Sequence, residues 1–277
     1  MPDIRLIATD IEGTLTNVQR EIPPRTLAAL QTLAQRGLPV VAVTGLNPWA
    51  ARNYTTAISP EITAILQNGA FVFHNGAIIE RRNVDETVAR KAVDVLLARG
   101  YVPLVYGQDE LTRYMFVEDG MAMVEALISR RPFQPYMVAN TLEELFSVPP
   151  VQVSVCDTER RARAIYPALA KAIGQEAYVV LQPQPGRESW VEVNHPQARK
   201  DISLLEIAAR LNIAPEHILY FGDSLNDREV MQAVGYPVAV ENALPEIKAL
   251  AWRIAPSSEE EGVAHTLAEL FKIPLEP

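Results

Sequence analysis

The sequence predicts an α/β fold, a doubly wound parallel sheet interrupted by an inserted α+β domain, and two observations support this prediction. Short apolar runs alternate with amphipathic helical segments at both ends of the chain, which is typical of βαβ units around a parallel sheet. From about residue 83 to about residue 185 this alternation stops. The 277 residues are therefore expected to form a core of residues 1–83 and 186–277 and an inserted domain of residues 84–185.

The first βαβ unit is the clearest part of the pattern. Ile4–Ala8 is a short run rich in branched apolar residues, which predicts a buried strand that leads into Asp10. Pro23–Arg36 opens with Pro, carries Leu at helical spacing and is followed by Gly, so it predicts a helix. Leu38–Val43 repeats the strand pattern and is followed by Thr44. Because such crossovers are almost always right-handed and put both strand ends on one edge, Asp10 and Thr44 are predicted to be neighbours.

The rest of the core follows the same logic. A strand is predicted at Ile62–Leu66, and a hairpin is predicted after it because Asn75-Gly76 favours a tight turn between apolar runs. The chain is expected to return to the core with these elements: strands Trp190–Val193, Ile218–Phe221, Val238–Val240 and Arg253–Ala255, and helices Lys200–Leu211, Leu244–Ala251 and Glu260–Phe271.

The inserted domain is predicted from a mixed order of elements. They are helices Asp85–Arg99 and Thr158–Ile173, and strands Val102–Tyr106, Tyr114–Glu118, Val151–Cys156 and Tyr178–Leu181. Pro183, Pro185 and Gly186 are expected to form its exit linker. Residues 106–113 and 129–140 show no readable pattern.

Composition narrows the class of partner. The net charge of −9 and the pI near 5.1 disfavour a nucleic-acid partner. Cys156 is the only cysteine, so no intrachain disulfide can form. No apolar run reaches about 18 residues, and the N-terminus lacks a basic start typical of a signal peptide. These features predict a cytoplasmic protein without a membrane partner, and they leave open whether it is a monomer or a homodimer.

Acidic residues follow two of the predicted core strands. Asp10 and Glu12 follow the first strand, and Asp223 and Asp227 follow Ile218–Phe221. Ligands bind outside the carboxyl ends of strands in such sheets. Two carboxylates about 4 Å apart repel by roughly 4 kcal/mol at an effective dielectric constant of about 20, so a cation is expected among them. Oxygen ligands without nearby His or Cys suit Mg²⁺. Either acidic motif alone would be explained as a strand end and a helix cap; together they predict a site.

The motifs that surround these acids resemble a known family. DIEGTL at 10–15, Thr44-Gly45, Lys200 before a helix and GDSLND at 222–227 are similar to the motifs of the haloacid dehalogenase superfamily, with Asn68-Gly69-Ala70 and Asn242-Ala243 in supporting places. The long insertion resembles that of the Cof-type sugar-phosphatase branch. This resemblance implies a Rossmann-like core with a cap domain. It also implies Mg²⁺-dependent hydrolysis of a small phosphomonoester, namely a sugar phosphate, a phosphorylated cofactor or a nucleotide.

The resemblance also implies roles for individual residues. Asp10 would be the nucleophile that forms an aspartyl-phosphate, and Glu12 the general acid and base. Thr44 and Lys200 would contact the transferring phosphoryl group. The implied sets are catalytic Asp10, Glu12, Thr44 and Lys200; phosphoryl-binding Thr44, Gly45, Lys200 and Asn226; and metal-binding Asp10, Glu12 through its backbone carbonyl, Asp223 and Asp227.

Three positions depart from the family pattern. Glu12 replaces the usual Asp, which moves the carboxyl by about one bond length with little change in its intrinsic pKa. Leu46 stands where Cof-type members often have Arg, and Asp201 stands where Gly is common. A phosphotransferase or mutase, a metal-free dehalogenase and a non-catalytic binder of phosphorylated ligands remain alternatives.

Two further segments are expected to be structural only. Asn68-Gly69 is interpreted as a turn, and the acidic segment Ser257–Glu261 as a solvated start of the last helix.

Overall fold

The computed structural model describes residues 2–131, 134–183 and 188–275. The regular elements of these residues, in chain order, are strands β1 (Leu6–Thr9), β2 (Val40–Val43), β3 (Thr63–Leu66), β4 (Phe71–His74), β5 (Ala77–Arg81), β6 (Leu104–Gly107), β7 (Thr112–Tyr114), β8 (Tyr136–Val138), β9 (Pro150–Asp157), β10 (Tyr178–Gln182), β11 (Ser189–Asn194), β12 (Ile218–Gly222), β13 (Tyr236–Val240) and β14 (Arg253–Ala255). The helices are α1 (Pro24–Gln35), α2 (Pro48–Ile58), α3 (Glu86–Leu97), α4 (Met121–Arg130), α5 (Leu142–Leu145), α6 (Glu159–Ile173), α7 (Lys200–Arg210), α8 (Arg228–Ala233), α9 (Pro245–Lys248) and α10 (Gly262–Phe271).

The chain divides into two compact units. The core unit comprises Met1–Leu46, Ala51–Glu80 and Lys200–Pro277, and the inserted unit comprises Asn47–Ala50 and Arg81–Arg199. Among the described helices, none combines the length and the hydropathy that a bilayer span requires.

The core unit contains a sheet in the order β14-β13-β12-β1-β2-β3-β4-β5. Neighbouring strands from β14 to β3 are parallel, and β3 pairs with β4 antiparallel. The strands β1, β2 and β12 are buried along their whole length, as expected for strands covered on both faces. The predicted Rossmann-like α/β core is therefore confirmed.

The hairpin at the edge of this sheet shows how local sequence fixes its turn. Asn75 and Gly76 both have positive φ, 50° and 79°, between β4 and β5. That conformation is typical of a two-residue type I′ turn, which Asn-Gly adopts at little cost.

The inserted unit contains a second sheet in the order β10-β11-β9-β6-β7-β8. Its strands pair antiparallel except β7 and β8, which are parallel. Apolar side chains of α3 and α6 form one core cluster with strand residues such as Val153 and Val191, whereas Leu127 of α4 belongs to a second cluster with Leu104 and Cys156. The predicted α+β character of the insertion is confirmed.

One strand was assigned to the wrong sheet. Trp190–Val193, expected to reopen the core, lies in β11, which pairs with β9 and β10 in the second sheet. The inserted unit consequently continues to Arg199 instead of ending near residue 185. An apolar run predicts a strand but does not identify the sheet it joins, which explains the error. Of the expected exit linker, Pro185 and Gly186 lie outside the described residues.

Other elements differ from the prediction in position or existence. The strand expected at Tyr114–Glu118 is observed at Thr112–Tyr114, and the helix expected at Leu244–Ala251 is a single turn, α9. Helices α2 and α4 were not predicted. Polar residues on α2 obscure its apolar stripe, whereas α4 does carry buried apolar residues at helical spacing, Met121, Val124 and Leu127, and was overlooked.

Candidate active site

The chemistry-bearing residues of the core unit collect at one edge of its sheet. Asp10 follows β1, Thr44 follows β2 and Asp223 follows β12, and these three strands are adjacent and parallel. Their carboxyl ends therefore open on the same side, as expected for a ligand site in an open parallel sheet.

Three carboxylates form the centre of this site. Asp10, Asp223 and Asp227 each offer an oxygen that lies within 4.8 Å of the others. The ammonium of Lys200, the first residue of α7, donates to Asp10 Oδ1 and to Asp227 Oδ1, both at 2.7 Å. Lys200 is only 2% exposed, so these charges interact with little screening by water.

Asp227 is held from all sides. Its Oδ1 accepts a hydrogen bond from the Tyr220 hydroxyl at 2.6 Å in addition to the bond from Lys200. Its Oδ2 accepts the backbone N–H groups of Asp223 at 2.9 Å and Ser224 at 3.0 Å. Four donors fix the carboxylate, so Asp227 organises the loop that carries Asp223.

Close packing around Asp223 requires a glycine. Gly13 has φ +81°, and a Cβ there would lie 2.6 Å from Asp223 Oδ2. The hydroxyl of the next residue, Thr14, donates to Asp223 Oδ1 at 3.0 Å. The DIEGTL turn thus supplies both the space and a donor for the second acidic motif.

The pKa values reflect an excess of negative charge. Burial, followed by the Asp227 and Glu12 carboxylates, raises the pKa of Asp10 to about 7, although Lys200 opposes this change. Burial also raises the pKa of Asp223 well above its ordinary value, with further increases from Asp10 and Asp227. Burial lowers the pKa of Lys200, but Asp10 and Asp227 outweigh that effect and raise it overall.

These observations fit a hard divalent cation. Three oxygen ligands converge in a buried place, and one ammonium offsets only part of their charge. Mg²⁺ prefers such oxygen donors and would relieve the repulsion that raises the carboxyl pKa values.

A group of amide and hydroxyl side chains lies in the adjoining loops. Asn226 Nδ2 donates to Asn68 Oδ1 at 3.0 Å, and a Cβ on Gly45 would lie 3.3 Å from that oxygen. Thr44 Oγ1 accepts the N–H of Leu46 at 3.1 Å. Asn68 is 2% exposed with φ 55°, so the interpretation of Asn68-Gly69 as only a turn was incomplete.

Glu12 stands apart from the central group. Its side chain is half-buried and is not among the converging carboxylates. The turn behind it is fixed, because Gly13 N–H donates to Thr16 Oγ1 at 3.3 Å and the Gly13 carbonyl accepts from Asn242 Nδ2 at 2.7 Å. Asn242 Oδ1 in turn accepts the N–H of Ser258 at 2.9 Å.

The prediction that the acidic segment Ser257–Glu261 is a solvated helix start is confirmed but incomplete. The segment does open the last helical region, but Glu259 accepts the N–H of Val18 and Glu261 accepts the N–H of Thr26. Two of its carboxylates therefore anchor the segment that follows the DIEGTL turn.

Two residues that hydrogen-bond to the acidic cluster, Thr14 and Tyr220, were given no role from the sequence. For Tyr220 a signal was present, since it is a hydroxyl-bearing side chain within the apolar strand Ile218–Gly222, and a buried tyrosine hydroxyl needs a partner. Thr14 gave no such signal, because its partner lies more than 200 positions away in the sequence.

Comparison with known proteins gives this site a family. A family model described as haloacid dehalogenase-like hydrolase matches residues 7–267. The chain belongs to this family. The resemblance predicted from the motifs is therefore confirmed, and so is the prediction that the haloacid dehalogenase-like chain is a hydrolase.

Relatives of this haloacid dehalogenase-like chain support the same grouping. It is 24% identical to the 5-amino-6-(5-phospho-D-ribitylamino)uracil phosphatase YbjI of Escherichia coli (strain K12), over 97% of each chain. It is 26% identical to the chloroplastic endoribonuclease YBEY of Arabidopsis thaliana, covering 96% of this chain but only 46% of that protein. A haloacid dehalogenase-like hydrolase from Bacteroides thetaiotaomicron has a similar fold, with a TM-score of 0.83, 18% identity, and coverage of 97% of this chain and 100% of that one.

Proposed function

We propose that this chain is a Mg²⁺-dependent phosphatase that hydrolyses a small phosphomonoester through an aspartyl-phosphate on Asp10. The observation that carries the proposal is the buried Asp10 carboxylate, 2.7 Å from Lys200 Nζ and within 4.8 Å of the oxygens of Asp223 and Asp227. A carboxylate nucleophile needs its charge offset before it can approach a phosphate dianion, and this group of residues supplies the means.

In the first step, a carboxylate oxygen of Asp10 attacks phosphorus. The new Asp10–phosphorus bond forms while the ester bond between phosphorus and the leaving oxygen breaks, and that oxygen takes a proton from the Glu12 carboxyl. Lys200 and the Thr44 hydroxyl stabilise the charge on the transferring phosphoryl oxygens, with Asn226 as a further donor and Gly45 leaving space beside them.

In the second step, water replaces Asp10 on phosphorus. The Glu12 carboxylate takes a proton from the water as its oxygen bonds to phosphorus, and the bond to Asp10 breaks. Inorganic phosphate leaves, and Asp10 is a free carboxylate again. Glu12 thus finishes protonated, as it began.

The residues that would hold Mg²⁺ are the carboxylates of Asp10 and Asp223 and the backbone carbonyl of Glu12, with Asp227 in support. When bound, the ion supplies positive charge that offsets repulsion between the acidic site and the phosphate. Asp227 contributes indirectly, because its two oxygens already accept hydrogen bonds from four groups in the protein.

The proposed substrate class is supported by one of the relatives. The Escherichia coli relative is a phosphatase for a phosphorylated ribitylamino compound, which supports a sugar phosphate or a phosphorylated cofactor as substrate here. We assign substrate selectivity to the inserted unit as a cap domain and place the reaction in the cytoplasm. Leu46 adds no polar contact, because it is 5% exposed and apolar.

The test is phosphate release from a broad panel of phosphomonoesters, with and without Mg²⁺. We expect Mg²⁺-dependent release in the wild type and its loss in Asp10→Asn, which also controls for contaminating phosphatases. Full activity of Asp10→Asn would contradict the mechanism. Release that requires an acceptor alcohol would indicate a phosphotransferase, and ligand binding without turnover would indicate a non-catalytic binder.

A further inference from the structure

Tyr220 is a buried hydroxyl beside the site that the proposed reaction does not use. It lies in β12 with Ile218, Leu219 and Phe221, and all four side chains are 0% exposed. Its hydroxyl donates to Asp227 Oδ1 at 2.6 Å. Burial, followed by the nearby carboxylates, raises the pKa of Tyr220 well above its ordinary value, so the hydroxyl keeps the proton that it donates.

The acceptor of this hydrogen bond is shared with Lys200. Asp227 Oδ1 accepts from Tyr220 and from Lys200 Nζ at 2.7 Å, and the same Nζ donates to Asp10 Oδ1 at 2.7 Å. The result is a continuous chain of hydroxyl, carboxylate, ammonium and carboxylate, in which every member is at most 5% exposed. In such a buried chain each hydrogen bond alters the strength of the next.

Two consequences follow for the ammonium. The carboxylate of Asp227 cannot rotate, because Tyr220 fixes Oδ1 while the N–H groups of Asp223 and Ser224 fix Oδ2. The Tyr220 hydroxyl also takes part of the negative charge of Oδ1, which weakens the attraction of Asp227 for Lys200. Because Asp227 is fixed, it holds the ammonium in one place. Because its attraction is weakened, the ammonium keeps its second hydrogen bond to Asp10.

We propose that Tyr220 is a positioning residue that, through Asp227, directs the Lys200 ammonium toward Asp10 and the transferring phosphoryl group. Tyr220 touches none of the reacting atoms. The inference rests on the proposed phosphatase function. It gives the hydrogen bond of Tyr220 a positioning role in the reaction in addition to satisfying a buried hydroxyl.

The first test is Tyr220→Phe, which removes the hydroxyl and keeps the ring. Asp227 retains three donors, so the fold and the metal ligands persist. We expect kcat to fall about tenfold, a typical effect for a residue that contacts the reacting groups only through another side chain. KM and the Mg²⁺ concentration for half-maximal activation, as well as Mg²⁺ binding measured by calorimetry, should change less than about twofold.

The matched control is Tyr236→Phe on the neighbouring strand β13. The hydroxyl of Tyr236 accepts the N–H of Asp3 in an exposed contact, so its removal should leave kcat unchanged. A general sensitivity to losing a tyrosine hydroxyl would appear in both variants.

The second test is a double-mutant cycle with Lys200→Arg. If Tyr220 acts through Lys200, Tyr220→Phe should lower kcat by much less in the Lys200→Arg background than in the wild type, whereas two independent roles would give additive losses. Additive losses, an unchanged kcat, or a loss that saturating Mg²⁺ restores would each overturn the inference. These results leave the proposed function intact, since it fails only if the wild type releases no phosphate or Asp10→Asn stays active.

Discussion

The core unit and the inserted unit differ in how their charged side chains are paired. In the inserted unit, charged side chains meet partners of opposite sign, as Asp109 Oδ2 does with Arg113 and Asp157 Oδ2 with Arg161, both at 2.7 Å. In the core unit, three carboxylates lie close together, and the ammonium of Lys200 pairs with two of them, Asp10 and Asp227. The core therefore stores electrostatic repulsion at the end of its sheet, which these two ion pairs of the inserted unit do not.

The arrangement of charges affects the stability of the two units differently. Apolar burial stabilises both units, through the clusters of the inserted sheet with α3, α6 and α4 and through fully buried core strands such as β1 and β12. The site of the core unit costs stability, because burying like charges together is unfavourable. Such repulsion is typical of a place that binds a cation or reacts with a substrate.

Removal of the Lys200 ammonium should have the largest effect on both stability and activity. Lys200→Met leaves Asp10 and Asp227 buried without their shared donor, which should cost about 3–5 kcal/mol in the free energy of unfolding. Phosphatase activity should fall about 100- to 1,000-fold, because the proposed donor to the transferring phosphoryl group is lost. Chemical denaturation and phosphate-release assays measure the two effects.

The control is Lys248→Met, which breaks an ion pair with Glu241 at 2.7 Å in which both side chains are more exposed. This change should cost less than about 1 kcal/mol and leave activity unchanged. Equal effects of the two lysine variants would remove the contrast between the buried site and the surface.

A substitution that creates an apolar cavity in the inserted unit should have the second largest effect, and it should change stability alone. Ile165 of α6 is 1% exposed within an apolar cluster, so Ile165→Ala should lower the free energy of unfolding by about 2–5 kcal/mol. The Mg²⁺ concentration for half-maximal activation should not change, because the metal ligands belong to the core unit. A shift in that concentration at temperatures where the variant is fully folded would break the proposed separation of roles.

How far the sequence predicted each unit depends on the range of the interactions involved. Asp10, Thr44 and Asp223 were placed correctly at strand ends, because a short apolar run and the polar residue after it are local features. The assignment of β11 failed because pairing partners are set by tertiary structure. Thr14 was missed for the same reason, since its partner Asp223 lies 209 positions away in the sequence. Tyr220 was missed although Asp227 is only seven positions away, because an apolar strand pattern does not show which carboxylate a buried hydroxyl contacts.

The smallest predicted effect concerns pH and tests whether repulsion at the site is real. Because its folded pKa is raised, Asp223 holds its proton in the folded state at pH values where the unfolded chain has lost it. The folded state then binds more protons, so this group lowers stability as pH rises from about 4 through the raised pKa. Asp223→Asn removes the titrating group and keeps an oxygen for the Thr14 hydroxyl.

In the absence of Mg²⁺, Asp223→Asn should therefore be more stable than the wild type at pH 8, by about 1–2 kcal/mol, with a smaller difference at pH 5. Added Mg²⁺ should stabilise the wild type at pH 8 and the variant much less, since the variant lacks a charged ligand. Unfolding measured at both pH values, with and without the ion, gives all four comparisons. If Asp223→Asn instead lost stability relative to the wild type between pH 5 and pH 8, the charged Asp223 carboxylate would be held by favourable contacts. The contrast between the two units would then lose its physical basis.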